Sequence, residues 1–166
     1  MALIPYGKQH LSEQDYAAVL EVLKSDYLTQ GPQVPAFEAA VAELTGAAHA
    51  VAVNSATSAL HLACLALGLG PDDRLWTSPI TFVASANCGR YCGAAVDFVD
   101  IDPNTRNLCP QQLAKKLAQA AATQTLPKVL VVVHMAGASA PMAEIAALAK
   151  RYQVAIIEDA SHAMGT

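Results

Sequence analysis

At 166 residues, 54% of them hydrophobic, the chain is long enough to bury one sizeable core and too apolar to be disordered. Its formal net charge of -4 comes from only 14% charged residues, which excludes the basic surface that nucleic acid or an anionic membrane requires. No apolar run reaches membrane-spanning length, and Met1 to Gly7 lacks the apolar core of a signal peptide. The expected location is therefore the cytoplasm, and the expected partner a small molecule or another subunit. The cysteines, Cys64, Cys88, Cys92 and Cys109, show no CxxC spacing and read as reduced, mostly buried thiols. Cys88 and Cys92 stand one helical turn apart, but no His or Cys pair completes a metal site, and no metal is expected.

In chain order, Ser12-Glu13-Gln14-Asp15 resembles a capping box, and Tyr16, Val19, Leu20 and Leu23 follow at helical spacing, which predicts an amphipathic helix up to about Ser25. Asp26 to Pro32 reads as a Gly/Pro-punctuated loop. Phe37, Val41 and Leu44 then mark a second helix closed by Gly46. From Ala48 onward strands and helices alternate: a strand near Ala50 to Val53, a helix to Leu67, a strand near Leu75 to Thr77, and a helix across Phe82 to Tyr91. Ala95 to Val99 reads as strand, Pro110 to Ala120 as helix with proline in its first turn, Val129 to His134 as strand, Pro141 to Tyr152 as helix, and the run from Val154 as the last strand. Short, continuously apolar strands separated by helices predict right-handed βαβ crossovers. The expected fold class is α/β, a three-layer arrangement of a mainly parallel sheet with helices on both faces.

In such a sheet, ligands collect beyond the carboxyl ends of the strands. Four features fall there: Ser55 to Ser58, Thr77 to Phe82, His134 to Gly137, and Glu158 to His162. Ser55-Ala56-Thr57-Ser58 opens a helix directly after a strand, so its free amides and hydroxyls suit a phosphate, although ordinary N-capping accounts for the same residues. The β-branched run ending at Glu158-Asp159 places a carboxylate where it would face a cationic ring nitrogen, or else cap the turn that follows. Phe82 is placed to lie against an aromatic ligand, with core packing as the plain alternative. His134 and Cys109 read as structural. There is no GxxxxGK[ST], and Gly68-Leu69-Gly70-Pro71 follows a helix where a dinucleotide fingerprint would follow a strand, so ATPase and Rossmann readings are set aside.

Seven segments in order carry a family resemblance: Tyr6; Leu28-Thr29-Gln30-Gly31-Pro32; Asn54 to Leu60; Pro79-Ile80-Thr81-Phe82; Val99-Asp100-Ile101-Asp102; His134-Met135-Ala136-Gly137; and Ile157 to Gly165. Together they resemble the pyridoxal-phosphate-dependent nucleotide-sugar aminotransferases of the DegT/DnrJ/EryC1/StrS family, and within it the branch serving pseudaminic acid biosynthesis. The resemblance implies a fold type I aminotransferase large domain, of which residues 1–166 would form the N-terminal part. It implies pyridoxal 5'-phosphate as cofactor, with Asp159 on the pyridinium nitrogen, His162 by the 3-hydroxyl, Phe82 stacked on the ring, and Ala56 and Thr57 on the phosphate. Tyr6, Asp26, Tyr27, Leu28, Thr29 and Ala56 would approach the sugar nucleotide. The implied reaction moves an amino group from glutamate to the C4 keto group of a UDP-linked 4-keto-6-deoxy-N-acetyl sugar, in a homodimer. The family's Schiff-base Lys is expected beyond Thr166, followed by the rest of the large domain and the small domain, so the 166 residues are expected to be inactive alone. Two other readings stay open: a dehydratase of the same family with His at the Lys position, and a non-catalytic α/β module that holds a sugar nucleotide at the Ser55 to Ser58 helix start.

Overall fold

In the computed structural model, which describes residues 7–165, the chain divides into two units, Met1–Ala52 and Val53–Thr166. The first unit holds two helices. Helix α1 (Glu13–Lys24) starts at the expected capping box: Ser12 Oγ accepts from the Asp15 amide, and Asp15 Oδ2 accepts from the Ser12 amide at 2.6 Å. Such a cap is worth about 1 kcal/mol. Helix α2 (Gln33–Thr45) ends at Gly46, whose φ of +70° is the left-handed conformation that closes helices. Between them, Gly31 (φ +57°) is required by space as well as by angle, since a Cβ there would lie 2.7 Å from Tyr27 Cβ. The apolar stripe of α1 (Tyr16, Val19, Leu20, Leu23) remains exposed.

The second unit carries helix α3 (Ala56–Ala66), strand β1 (Arg74–Thr77), helix α4 (Ala84–Tyr91), strand β2 (Ala95–Phe98) and helix α5 (Pro110–Ala122). Strand β3 (Val129–Val133), a single 3₁₀ turn (Met135–Gly137), helix α6 (Met142–Tyr152) and strand β4 (Ala155–Asp159) complete it. The four strands form one parallel sheet in the order β2-β1-β3-β4. Alternation along each strand sorts the core into two layers. Leu75, Val129, Val131, Ala155 and Ile157 pack with Leu60 and Cys64 of α3 and Cys88 of α4. Trp76, Leu130, Val132 and Ile156 pack on the other face with Leu113 and Leu117 of α5 and Ile145 of α6. Each fully buried leucine adds about 1.5–3 kcal/mol, so both helical layers are held by the sheet rather than by helix propensity. This is the expected three-layer α/β arrangement.

Helix α4 joins β1 to β2 on the α3 face, whereas α5 and α6 carry the chain back over β1 to β3 and β4 on the opposite face. The winding therefore reverses between β1 and β3, where right-handed crossovers open a crevice at the strand carboxyl ends. Two expectations are corrected. Ala50 to Val53 forms no strand: the segment is irregular, and Val51 is 79% exposed. Its β-branched pattern is strand-like, but no described strand pairs with it, and backbone pairing rather than propensity decides strand formation. Helix α4 starts at Ala84, leaving Phe82 and Val83 before its first turn.

Candidate functional site

Strand β4 ends at Asp159, and its pleat decides which way that carboxylate faces. Ala155 and Ile157 pack against the α3 and α4 layer, so Asp159, two residues further on, projects to the same side. The orientation of α3 follows from its other end. Lys128, just before β3, donates to Gly68 O at 2.6 Å and to Asp73 Oδ2 at 2.9 Å, which ties the end of α3 to the strand starts. The start of α3 therefore lies at the strand carboxyl ends, on the face that Asp159 occupies.

At that start, Ser55 is the N-cap: its Oγ accepts from the Ser58 amide at 3.2 Å, and Ser58 Oγ donates to Asn54 Oδ1 at 2.7 Å. The capping reading of this motif is thus realised for Ser55 and Ser58. The amides of Ala56 and Thr57 and the Thr57 hydroxyl keep no partner among the described residues, and they stand at the positive end of the helix dipole. These groups are suited to hold a phosphate.

Asp159 is only 8% exposed. Its Oδ1 accepts from Ser161 Oγ at 2.6 Å and from the Ser161 amide at 3.3 Å, a local turn of the kind the capping alternative predicted. Its Oδ2 accepts from Ser85 Oγ at 2.8 Å, across 74 residues of sequence. No Lys, Arg or His pairs with it among the described residues. The nearby His134 does not supply charge. Its Nδ1 accepts from the Ala140 amide at 3.0 Å and so carries a lone pair, and its Nε2 then donates to Glu158 Oε2 at 3.0 Å as a neutral imidazole. His134 is the satisfied structural residue expected. A buried carboxylate with neutral donors only is costly unless a cation completes it.

Phe82 is 72% exposed, which removes core packing as its explanation. His162 is exposed in the turn after β4, and its carbonyl rests against Gly137, where an added Cβ would lie 2.8 Å away. The second unit therefore gathers Ala56, Thr57, Phe82, Asp159 and His162 on segments at the strand carboxyl ends. Asp26, Tyr27, Leu28 and Thr29 belong to the first unit, on the bend after α1, with Tyr27 and Leu28 mostly exposed. There Ser25 Oγ bonds the Tyr27 amide at 3.2 Å and shapes the bend. Tyr6 lies outside the described residues. Cys64 is fully buried, and its contact with Cys88 together with burial pushes the thiol far above the usual range, so it is an inert core group. Cys109 is buried just before α5, as a structural thiol would be. Among the described residues, no cluster of His, Cys, Asp and Glu is placed to hold a metal, and no helix is long and apolar enough to cross a membrane.

Sequence reasoning missed Ser85, and it reached Thr81 only as part of the Thr77 to Phe82 strand end. Their hydroxyls lie 2.8 Å apart at the start of α4, and the available signal was a pair of hydroxyl residues four apart just after a strand end.

Residues 9–166 match the model of the DegT/DnrJ/EryC1/StrS aminotransferase family. The chain belongs to this family. Its members are pyridoxal-phosphate enzymes, and the groups described above fit that cofactor: a recessed carboxylate lacking a cation, unpaired amides at a helix start, and an uncovered aromatic ring. Among curated relatives, the chain is 42% identical over 163 residues to the spore coat polysaccharide biosynthesis protein SpsC of Bacillus subtilis (strain 168), covering 98% of this chain and 40% of that one. Among solved structures, Helicobacter pylori PseC, an aminotransferase involved in the biosynthesis of pseudoaminic acid, matches at 34% identity and a TM-score of 0.85, covering 97% of this chain and 42% of that one. DesV of S. venezuelae, solved with a ketimine intermediate, matches at 33% identity and a TM-score of 0.81, covering 90% and 39%. The chain thus spans about two fifths of the length of these relatives.

Proposed function

We propose that the chain is the cofactor-binding front part of a pyridoxal-phosphate-dependent aminotransferase that transfers an amino group from glutamate to the C4 keto group of a UDP-linked 4-keto-6-deoxy-N-acetyl sugar. The observation that carries this reading is Asp159, a carboxylate 8% exposed and held by serine donors with no cationic side chain beside it. A protonated ring nitrogen supplies the missing charge. The sugar class rests on the likeness to PseC and SpsC, whose roles lie in pseudoaminic acid and spore coat polysaccharide biosynthesis. The product would be the UDP-4-amino-4,6-dideoxy-N-acetyl-β-L-altrosamine of that branch.

Pyridoxal phosphate, when bound, supplies an electron-poor ring that accepts the electron pair released at the carbon beside the transferred nitrogen. The chain's own residues prepare the place. Asp159 would hold the ring nitrogen's proton and so keep the ring cationic. Ala56 and Thr57 would bind the phosphate through their amides and the Thr57 hydroxyl, Phe82 would shield the ring from water, and His162 would orient the 3-hydroxyl. By the family resemblance, contacts with the sugar nucleotide would come from Tyr6, Asp26, Tyr27, Leu28 and Thr29 in the first unit and from Ala56 in the second. A Lys to move the proton and a homodimeric assembly are what the family resemblance implies.

The test is titration of the intact polypeptide with pyridoxal phosphate, followed by sugar nucleotide and glutamate. Appearance of visible cofactor absorption, and its bleaching by glutamate, is the expected result. A protein that stays colourless while binding the sugar nucleotide would refute the reading in favour of a non-catalytic module. One that takes up cofactor and releases water from the sugar without consuming glutamate would be a dehydratase.

A further inference from the structure

We propose that Ser85, itself held by Thr81, is the positioning residue that aims Asp159 and leaves Oδ2 as the one oxygen free to meet a ligand donor. The proposal deepens the aminotransferase reading and rests on it.

The argument begins with proton counting. An ionised carboxylate only accepts, so the 2.8 Å contact between Ser85 Oγ and Asp159 Oδ2 uses the single proton of the Ser85 hydroxyl. Ser85 Oγ can then only accept from Thr81, which fixes the direction of their 2.8 Å contact: Thr81 donates to Ser85, and Ser85 donates to Asp159. Each link polarises the next. Ser85 is fully buried, so no water competes for its proton, and the first turn of α4 sets its position.

Lone pairs are counted next. A carboxylate offers about four acceptor sites. Ser161 fills both on Oδ1, and Ser85 fills one on Oδ2. One site remains, on Oδ2, which suits a ligand presenting a single N–H, as a protonated pyridine ring does. Without Ser85, the carboxylate is anchored through Oδ1 alone and can turn about its Cβ–Cγ bond. Thr81 and Ser85 thus serve the cofactor nitrogen without touching it.

The experiment uses the intact polypeptide loaded with pyridoxal phosphate labelled with ¹⁵N in the ring, and follows the ring nitrogen signal against pH. In Ser85→Ala the midpoint for loss of the ring proton should fall by about one pH unit, and cofactor affinity should weaken about tenfold, the worth of one hydrogen bond to a charged group. Thr81→Val keeps the shape and leaves Ser85 in place, so it should move the midpoint the same way by a smaller amount. It carries the test if Ser85→Ala does not fold. If the wild-type midpoint is measurable and the folded variants share it, the positioning role is wrong while the aminotransferase reading stands. If the wild-type protein takes up no cofactor at all, both are wrong.

Discussion

Replacing Asp159 by Asn separates charge from shape at the centre of the site. In the folded protein the amide oxygen can keep both Ser161 contacts on the Oδ1 side, while the new amide nitrogen faces Ser85 Oγ. Ser85 then accepts instead of donating and turns its own proton toward Thr81, so the hydroxyl chain runs in reverse with no partner lost. The variant also no longer buries a charge without a counter-ion, and its stability should stay within about 1 kcal/mol of the parent or exceed it. Function should respond differently. A unit charge about 4 Å from a ring cation in a partly shielded site contributes about 4 kcal/mol, and losing it lowers turnover roughly a thousandfold. Amino transfer from glutamate by the intact polypeptide, set beside urea unfolding of the same preparation, measures both quantities. Turnover within tenfold of the parent in a stably folded Asp159→Asn protein would refute the pairing of this carboxylate with a cationic ring. A loss of activity matched by a loss of several kcal/mol of stability would show that Asp159 is a structural group.

Local chemistry made much of the fold legible. The Ser12 box, Gly46 after α2, Pro110 at the head of α5 and the run Val129 to Val133 each act within a few residues, and each element forms where its pattern places it. Ala50 to Val53 shows the boundary of that logic, because a strand exists only if another backbone lies beside it. The order β2-β1-β3-β4 is equally non-local: nothing in the α5 sequence says that it crosses over β1 rather than extending the sheet outward. The same distinction governs the site. Asp159 and the Ser55 to Ser58 start stand out because each ends or opens an element; the strand expected before Ser55 is absent, however, and it is the Lys128 tie at the far end of α3 that sets this helix start at the strand carboxyl ends. Ser85 does not stand out, since its role comes from a partner 74 residues away and is visible only once α4 is laid against β4. Phe82 required the structure for the opposite reason: its exposure, not its identity, separates it from a core ring.

Two further outcomes follow from the loops and from the sheet's lower rim. In Gly137→Ala, a Cβ would stand 2.8 Å from the His162 carbonyl at a φ of +87°, so the β4 turn must move. About 1–3 kcal/mol of stability and part of the pyridoxal phosphate affinity should be lost together, and an unchanged urea midpoint with unchanged affinity would show that the two loops do not constrain each other. At the opposite end of the sheet, the hydrogen bond from Lys128 holds the Asp73 carboxyl below its ordinary value, with burial opposing and the Gly70 amide assisting. A carboxyl depressed in the folded state stabilises the protein fully above its unfolded value, about pH 4, and that contribution disappears as pH falls through the lower folded value. Wild type and Asp73→Asn should therefore differ in urea midpoint above about pH 4 and converge in stronger acid. Because Lys128 is 41% exposed, added salt should narrow the gap at neutral pH. Parallel midpoint curves across the acid range would mean that the clasp between the end of α3 and the start of β3 rests on the Lys128 bond to Gly68 O alone, with the Asp73 charge contributing nothing.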